Sequence, residues 1–211
     1  LGASIGADKE FSLQCAEAVE SRGFARDICS YLRNYWGAMF LNRFPFGGPF
    51  PRPTFALQMH ICDSHAKWHQ LVTEYYNIPF FSIDFPVGIK RPSQEAKIKY
   101  IAQQMLDAIE WMEKITGRKY DDELFIQAIN NEFECCSLWG EICLLNRAIP
   151  APLEQKSLLS LYVVCVLIRH KKEAVDFYTM LRDEVKYRVD NQIAALASER
   201  CRLLDDAQPP W

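Results

Sequence analysis

Two cysteines stand where thiol chemistry is physically favoured. Cys29 follows Arg26-Asp27-Ile28 and precedes Ser30-Tyr31; Cys62 follows His60-Ile61 and precedes Asp63-Ser64-His65. Both stretches read as loops turning into helices. The start of a helix carries free N–H groups and the positive end of the dipole, so it favours anions, thiolates included. The thiolate is the form that binds metal or attacks an electrophile. The other reading of each residue is a small core side chain in a tight turn. From position alone both readings stay open.

The densest group of potential ligands runs from His60 to His69. Cys62, His65 and His69 are spaced i, i+3, i+7, on one helical face. Zinc takes Cys and His ligands, but this spacing matches none of the common zinc patterns. A zinc site there is the weaker expectation, and a partly solvated helix face the stronger. Asp84 closes a strand and could act as an acid or base, although a lone carboxylate in that place is more often a turn residue. Cys135 and Cys136 are adjacent on a helix and point about 100° apart; with Cys143 and Cys165 they are expected in the core. Cys15 and Cys201 are read as lying on helix faces and carry no signal.

The elements that position these residues fall into two kinds. Residues 54–61 form a strand-length run, and Asp63 or Ser64 can cap a helix running to about Tyr76. Asn77-Ile78-Pro79 stops that helix, and 80–85 is a second strand closed by Pro86 and Gly88. Strand, helix and strand over this length make a βαβ unit, hence a parallel sheet. Cys62 then lies at the carboxyl end of a parallel strand, where open α/β sheets bind ligands. Helices are expected earlier, at 10–21 and 30–41, with a Pro/Gly loop at 44–53. From Ser93 the pattern turns helical: one helix ended by Gly117, one from Asp121 or Asp122 to Asn146, then 153–169 and 172–197. The fold class is therefore α/β, a Rossmann-like parallel sheet with flanking helices followed by a helical segment. The division falls between 1–92 and 93–211.

Composition excludes several functions. A net charge of −3 without a basic stripe argues against nucleic acid as a partner. No apolar run is long enough to span a bilayer, so no membrane partner is expected. No Gly-rich loop followed by Lys-Ser/Thr occurs, which excludes ATP hydrolysis by a P-loop, and there is no Gly-x-Ser-x-Gly elbow. Most of the eight cysteines sit inside amphipathic helical patterns of a chain of 211 residues. A reduced, cytoplasmic setting is expected. The opening Leu1-Gly2-Ala3-Ser4-Ile5 and the closing Pro209-Pro210-Trp211 suggest a piece of a longer protein.

An ordered series of residues now carries a resemblance. It comprises Leu1 to Ala7, Ala16-Glu17, Gly23 to Tyr31, Pro51-Arg52-Pro53, Ile61-Cys62, Lys67-Trp68, Pro79 and Asp84-Phe85-Pro86. Thr116-Gly117, Arg147, Pro150-Ala151-Pro152, Tyr178, Leu181-Arg182 and Pro209-Pro210-Trp211 continue it. The series resembles the benzoyl-CoA reductase / 2-hydroxyglutaryl-CoA dehydratase subunit family across the whole chain, over about half of a usual family subunit. The details look nearest to a cluster-bearing subunit of benzoyl-CoA reductase.

The resemblance implies an oxidoreductase acting within a complex, on an aromatic acyl-CoA, by low-potential one-electron reduction. It implies an iron–sulfur cluster of the 4Fe-4S type in the full-length subunit. Cys29 and Cys62 match family ligand positions, and a third cysteine is expected beyond Trp211. It also implies a homologous cluster-bearing subunit and an ATP-hydrolysing iron–sulfur activator as partners. The chain alone is expected to carry no cluster and to be inactive. The alternatives are a 2-hydroxyacyl-CoA dehydratase subunit, in which a ketyl radical expels water, and a non-catalytic α/β scaffold with core cysteines.

Overall fold

A computed structural model describes residues 5–6, 8–86 and 93–203. The expectations placed on Leu1 to Ser4, Ala7, Gly88 and Pro209-Pro210-Trp211 lie outside them. The chain divides into two compact units between Lys119 and Tyr120.

The first unit opens with α1 (Lys9–Glu20) and α2 (Ser30–Phe40). Asp8 starts α1 by accepting the Phe11 N–H at 3.0 Å, which satisfies one of the free donors of the first turn. The two helices meet at Gly37 and Cys15. A Cβ at Gly37 would lie 2.3 Å from both the Cα and the carbonyl oxygen of Cys15. Only glycine permits that approach. It closes a core of Phe11, Cys15, Val19, Leu32, Trp36 and Met39.

Burial pushes the Cys15 thiol up to about 11 from an ordinary 9.0, against a smaller opposing pull from Arg43. A raised folded-state value contributes stability that is complete below the unfolded value and is lost as pH rises through the folded one. Stability is therefore expected to fall between about pH 9 and pH 11. This thiol supplies at most about 1.4 kcal/mol per pH unit of that fall. Thermal melts across the window check this. Cys15→Ala should flatten part of the slope, and an unchanged slope in the variant refutes the assignment.

The βαβ unit follows. β1 (Ala56–Met59) pairs in parallel with β2 (Phe80–Ile83), from Ala56 opposite Phe80 to Met59 opposite Ile83, and α3 (Asp63–Tyr76) connects them. Asn77 ends α3 in a left-handed conformation at φ 49°. Both strands are shorter than the sequence suggests. The His60 N–H still reaches the Ile83 carbonyl, but the Ile61 N–H turns back to Met59 at 2.9 Å, which ends the ladder. Among the described residues the sheet has two strands. That agrees with a parallel α/β unit and is narrower than the Rossmann-like sheet expected.

Then comes α4 (Gln94–Thr116), capped by the Ser93 hydroxyl and ended by Gly117 at φ 67°. Its Trp111 ring packs on Phe55 and Phe81, with centroids 5.3 and 5.4 Å away. That contact places α4 in the first unit, whereas the sequence punctuation around Gly88 suggests a division after residue 92.

The second unit is helical: α5 (Asp122–Leu145), α6 (Gln155–Ile168) and α7 (Lys172–Asp190). Cys135, Leu138, Ile142, Cys165, Tyr178 and Val185 form its core. The Tyr178 hydroxyl donates to the Leu161 carbonyl at 2.8 Å and accepts the Cys165 N–H at 2.9 Å. An α-helix pairs those two groups with each other, so Tyr178 bridges one rung of the α6 ladder. α7 stops short of its expected end because Gln192 turns left-handed at φ 55°. No described helix is long and apolar enough to cross a membrane.

Candidate functional site

Cys29 and Cys62 each occupy the N-cap of a helix, α2 and α3 respectively. Cys62, rather than Asp63 or Ser64, is the cap of α3, and Asp63 is its first helical residue. Neither thiol makes a side-chain capping hydrogen bond, and both are exposed and free.

The chain leading into each carries a polar brace. For Cys29 the brace is Glu20, whose carboxylate takes Arg26 at 2.9 Å and Arg33 at 2.5 Å. Arg33 also donates to the Arg26 carbonyl at 2.9 Å. The loop entering Cys29 is thereby tied to the ends of both helices. Among the described residues no strand precedes it, since α1 and a turn lead into this loop.

For Cys62 the brace comes from α4. The Gln104 amide takes both backbone groups of Asp84: its oxygen accepts the Asp84 N–H at 2.8 Å, and its nitrogen donates to the Asp84 carbonyl at 3.0 Å. Tyr100 donates to one Asp84 carboxylate oxygen at 3.3 Å, and His60 Nδ1 lies 3.4 Å from the other. Asp84 is therefore a junction between α4 and the end of β1, rather than an isolated turn residue. Tyr100 and Gln104 escaped the sequence reading. Their i, i+4 spacing, continued seven residues on by Trp111, was the available signal.

The zinc reading of Cys62, His65 and His69 does not hold. Cys62 has extended backbone, φ −149° and ψ 165°, so it leaves the helical face on which the two histidines lie. His69 Nδ1 instead contacts the His65 carbonyl at 3.3 Å, and burial lowers its basicity. Trp68 packs between this pair and Tyr35, at 5.5 Å from His65 and 5.1 Å from Tyr35. The face is an aromatic packing surface.

The remaining cysteines divide differently from expectation. Cys15, Cys135 and Cys165 are buried, as core residues are, but Cys136, Cys143 and Cys201 are exposed. Cys201 lies after the helices rather than on one. Burial first, and then the neighbouring Cys165, raises both the Cys135 and the Cys136 thiols. Thiols held protonated in this way are poor ligands and poor nucleophiles.

Among the described residues, no three His, Cys, Asp or Glu side chains gather as a metal-holding group. Cys29 and Cys62 fit thiophilic iron by donor chemistry: exposed thiols at helix starts, neither consumed in capping. They would supply two ligands of a set.

The family described as 2-hydroxyglutaryl-CoA dehydratase, D-component, matches residues 3–211. The chain belongs to this family. It is 31% identical to the (R)-phenyllactyl-CoA dehydratase alpha subunit of Clostridium sporogenes, over 92% of this chain and 48% of that relative. It is 28% identical to the (R)-2-hydroxyisocaproyl-CoA dehydratase alpha subunit of Clostridioides difficile, over 97% of this chain and 51% of that one. A benzoyl-CoA reductase subunit of Thauera aromatica is 23% identical, over 91% and 47%. The chain thus spans about half the length of the curated relatives it matches. These findings reverse the order of the two family readings, because the dehydratase subunits stand nearer than the reductase.

Proposed function

We propose that this chain is the N-terminal, cluster-bearing portion of a 2-hydroxyacyl-CoA dehydratase subunit of the alpha type. The family match across residues 3–211 carries the reading, and the similarity to dehydratase alpha subunits sets its direction. Cys29 and Cys62 would hold an iron–sulfur cluster of the 4Fe-4S type, completed by ligands outside the described residues. When bound, the cluster supplies single electrons at low potential. The overall reaction is a lyase reaction: a 2-hydroxyacyl-CoA loses water to give the enoyl-CoA. The chain's own part is to present two thiolates at helix starts, to hold their loops through Glu20 and Asp84, and to exclude water from the reacting thioester. A homologous subunit and an ATP-hydrolysing iron–sulfur activator would complete the system.

The βαβ unit is proposed as part of a wider Rossmann-like sheet in the complete subunit. Exposed Leu57, Met59 and Ile61 along and beyond β1 support this, since they leave apolar surface for further elements to cover. The second reading, a benzoyl-CoA reductase subunit, is favoured by the similarity to the Thauera aromatica reductase.

The test is anaerobic iron–sulfur reconstitution of the full-length subunit with its partner subunit and activator. Wild-type protein is expected to show thiolate-to-iron charge-transfer absorbance. Cys29→Ala combined with Cys62→Ala is expected to lose the share of this absorbance that the subunit itself contributes beyond its partner subunit and activator, and an unaltered spectrum refutes the ligand assignment. Turnover of a 2-hydroxyacyl-CoA without reduction of benzoyl-CoA supports the dehydratase reading. The converse supports the reductase.

A further inference from the structure

We infer that Asp84, held by Gln104 and Tyr100 of α4, is a positioning residue for Cys62, acting through His60; this rests on the reading of Cys62 as a cluster ligand. Cys62 follows a tight turn. The His60 N–H is fixed to Ile83 at 2.9 Å and the Ile61 N–H to Met59 at 2.9 Å, so the direction in which the chain enters α3 is set at His60. The His60 ring is in turn held by Asp84 at 3.4 Å. Asp84 is immobilised at three points, with N–H and carbonyl on Gln104 and the second carboxylate oxygen on Tyr100.

The far end of this chain of contacts is rigid. Seven residues beyond Gln104, Trp111 anchors α4 against Phe55 and Phe81, and Ala108 between them is 2% exposed. The network thus runs from a packed helix to the residue two before the thiol. Asp84 and His60 are exposed, with 53% and 43% of their side chains accessible. Exposed pairs add little to stability, because water competes for the same groups. Four groups converging on one exposed carboxylate-bearing residue therefore serve geometry more than folding. The ligand atom of a metal site needs such support to hold its orientation.

Amide hydrogen exchange on the 211-residue chain, resolved by peptide, tests the positioning directly. Asp84→Ala and Gln104→Ala are expected to quicken exchange across residues 60–63 about five-fold, the scale of one lost hydrogen bond. Tyr100→Phe, which removes one exposed hydroxyl and cannot unfold the unit, is expected to quicken it less. Asp84→Asn, which keeps the shape and an acceptor for His60, is expected to restore the wild-type rate. Peptides of α5 should not change.

The second arm uses the reconstituted full-length complex. The electron paramagnetic resonance line shape of the reduced cluster is expected to shift in Asp84→Ala and to return in Asp84→Asn. Unchanged exchange in Asp84→Ala, Gln104→Ala and Tyr100→Phe overturns the positioning role. So does quickened exchange with an unaltered resonance signal, which would leave a loop brace only. A Cys62→Ala protein with the full wild-type signal refutes the ligand reading itself, and the exchange data distinguish that failure from failure of the brace.

Discussion

Gly37→Ala is expected to destabilise the first unit by about 3 kcal/mol or more, at the upper end of overpacking costs. The added Cβ would sit 2.3 Å from the Cα and carbonyl oxygen of Cys15 and 2.4 Å from its Cβ. Those are mostly backbone atoms of α1, so no rotamer change relieves the contact. The helices must separate, which loosens Phe11, Val19, Trp36 and Met39 together. Alanine's better helix propensity works the other way, by about 1 kcal/mol. The clash is larger, so the sign is destabilising. Gly140→Ala provides the control, because a Cβ at that position in α5 meets nothing within 4 Å. It should stabilise by up to about 1 kcal/mol. Thermal melts followed by far-ultraviolet circular dichroism separate the two, with a fall of roughly 10 °C for Gly37→Ala. Equal or higher melting for that variant would show that α1 and α2 do not meet as described.

Tyr178→Ala is expected to destabilise the second unit by about 4 kcal/mol, and Tyr178→Phe by about 2 kcal/mol. Tyr178 is fully buried and bridges two backbone groups of α6. The alanine variant loses the ring, which packs against Trp139 at 5.5 Å and Phe177 at 5.1 Å. The phenylalanine variant isolates the hydroxyl. It strands the Leu161 carbonyl and the Cys165 N–H unless α6 closes that rung itself. Urea unfolding, together with exchange resolved across residues 158–168, measures both. A phenylalanine variant as stable as wild type would mean that α6 heals, and that the hydroxyl shapes the helix without stabilising it.

These two residues show what is and is not legible in a chain of this kind. Helix placement was readable because it depends on neighbours in sequence. Ser93, Asp121 and Gly117 punctuate the chain as capping chemistry requires, and apolar spacing supplies the period between them. The βαβ unit was readable for the same reason, down to Cys62 at a strand's carboxyl end. Strand ends were not, because β1 stops where the Ile61 N–H turns back on Met59, and β2 stops where Gln104, 20 residues beyond Asp84, takes the Asp84 N–H. Nor was the boundary between the units readable, because Trp111 belongs with Phe55 and Phe81 only through packing.

The candidate site divides along the same line. Local order placed Cys29 and Cys62 at helix starts, and the ordered series of residues pointed to the family that the match across residues 3–211 then showed. These are properties of short stretches, set by hydrogen-bonding valence and periodicity that adjacent residues already determine. Only the tertiary structure dissolved the apparent Cys62, His65, His69 stripe, because the extended backbone at Cys62 breaks the helical spacing. It alone decided which cysteines are buried, since burial depends on what another helix brings to that face. It alone joined His60, Asp84, Tyr100 and Gln104, which lie up to 44 positions apart (60 to 104) and meet because α4 packs Tyr100 and Gln104 against the residues that leave the parallel strand pair.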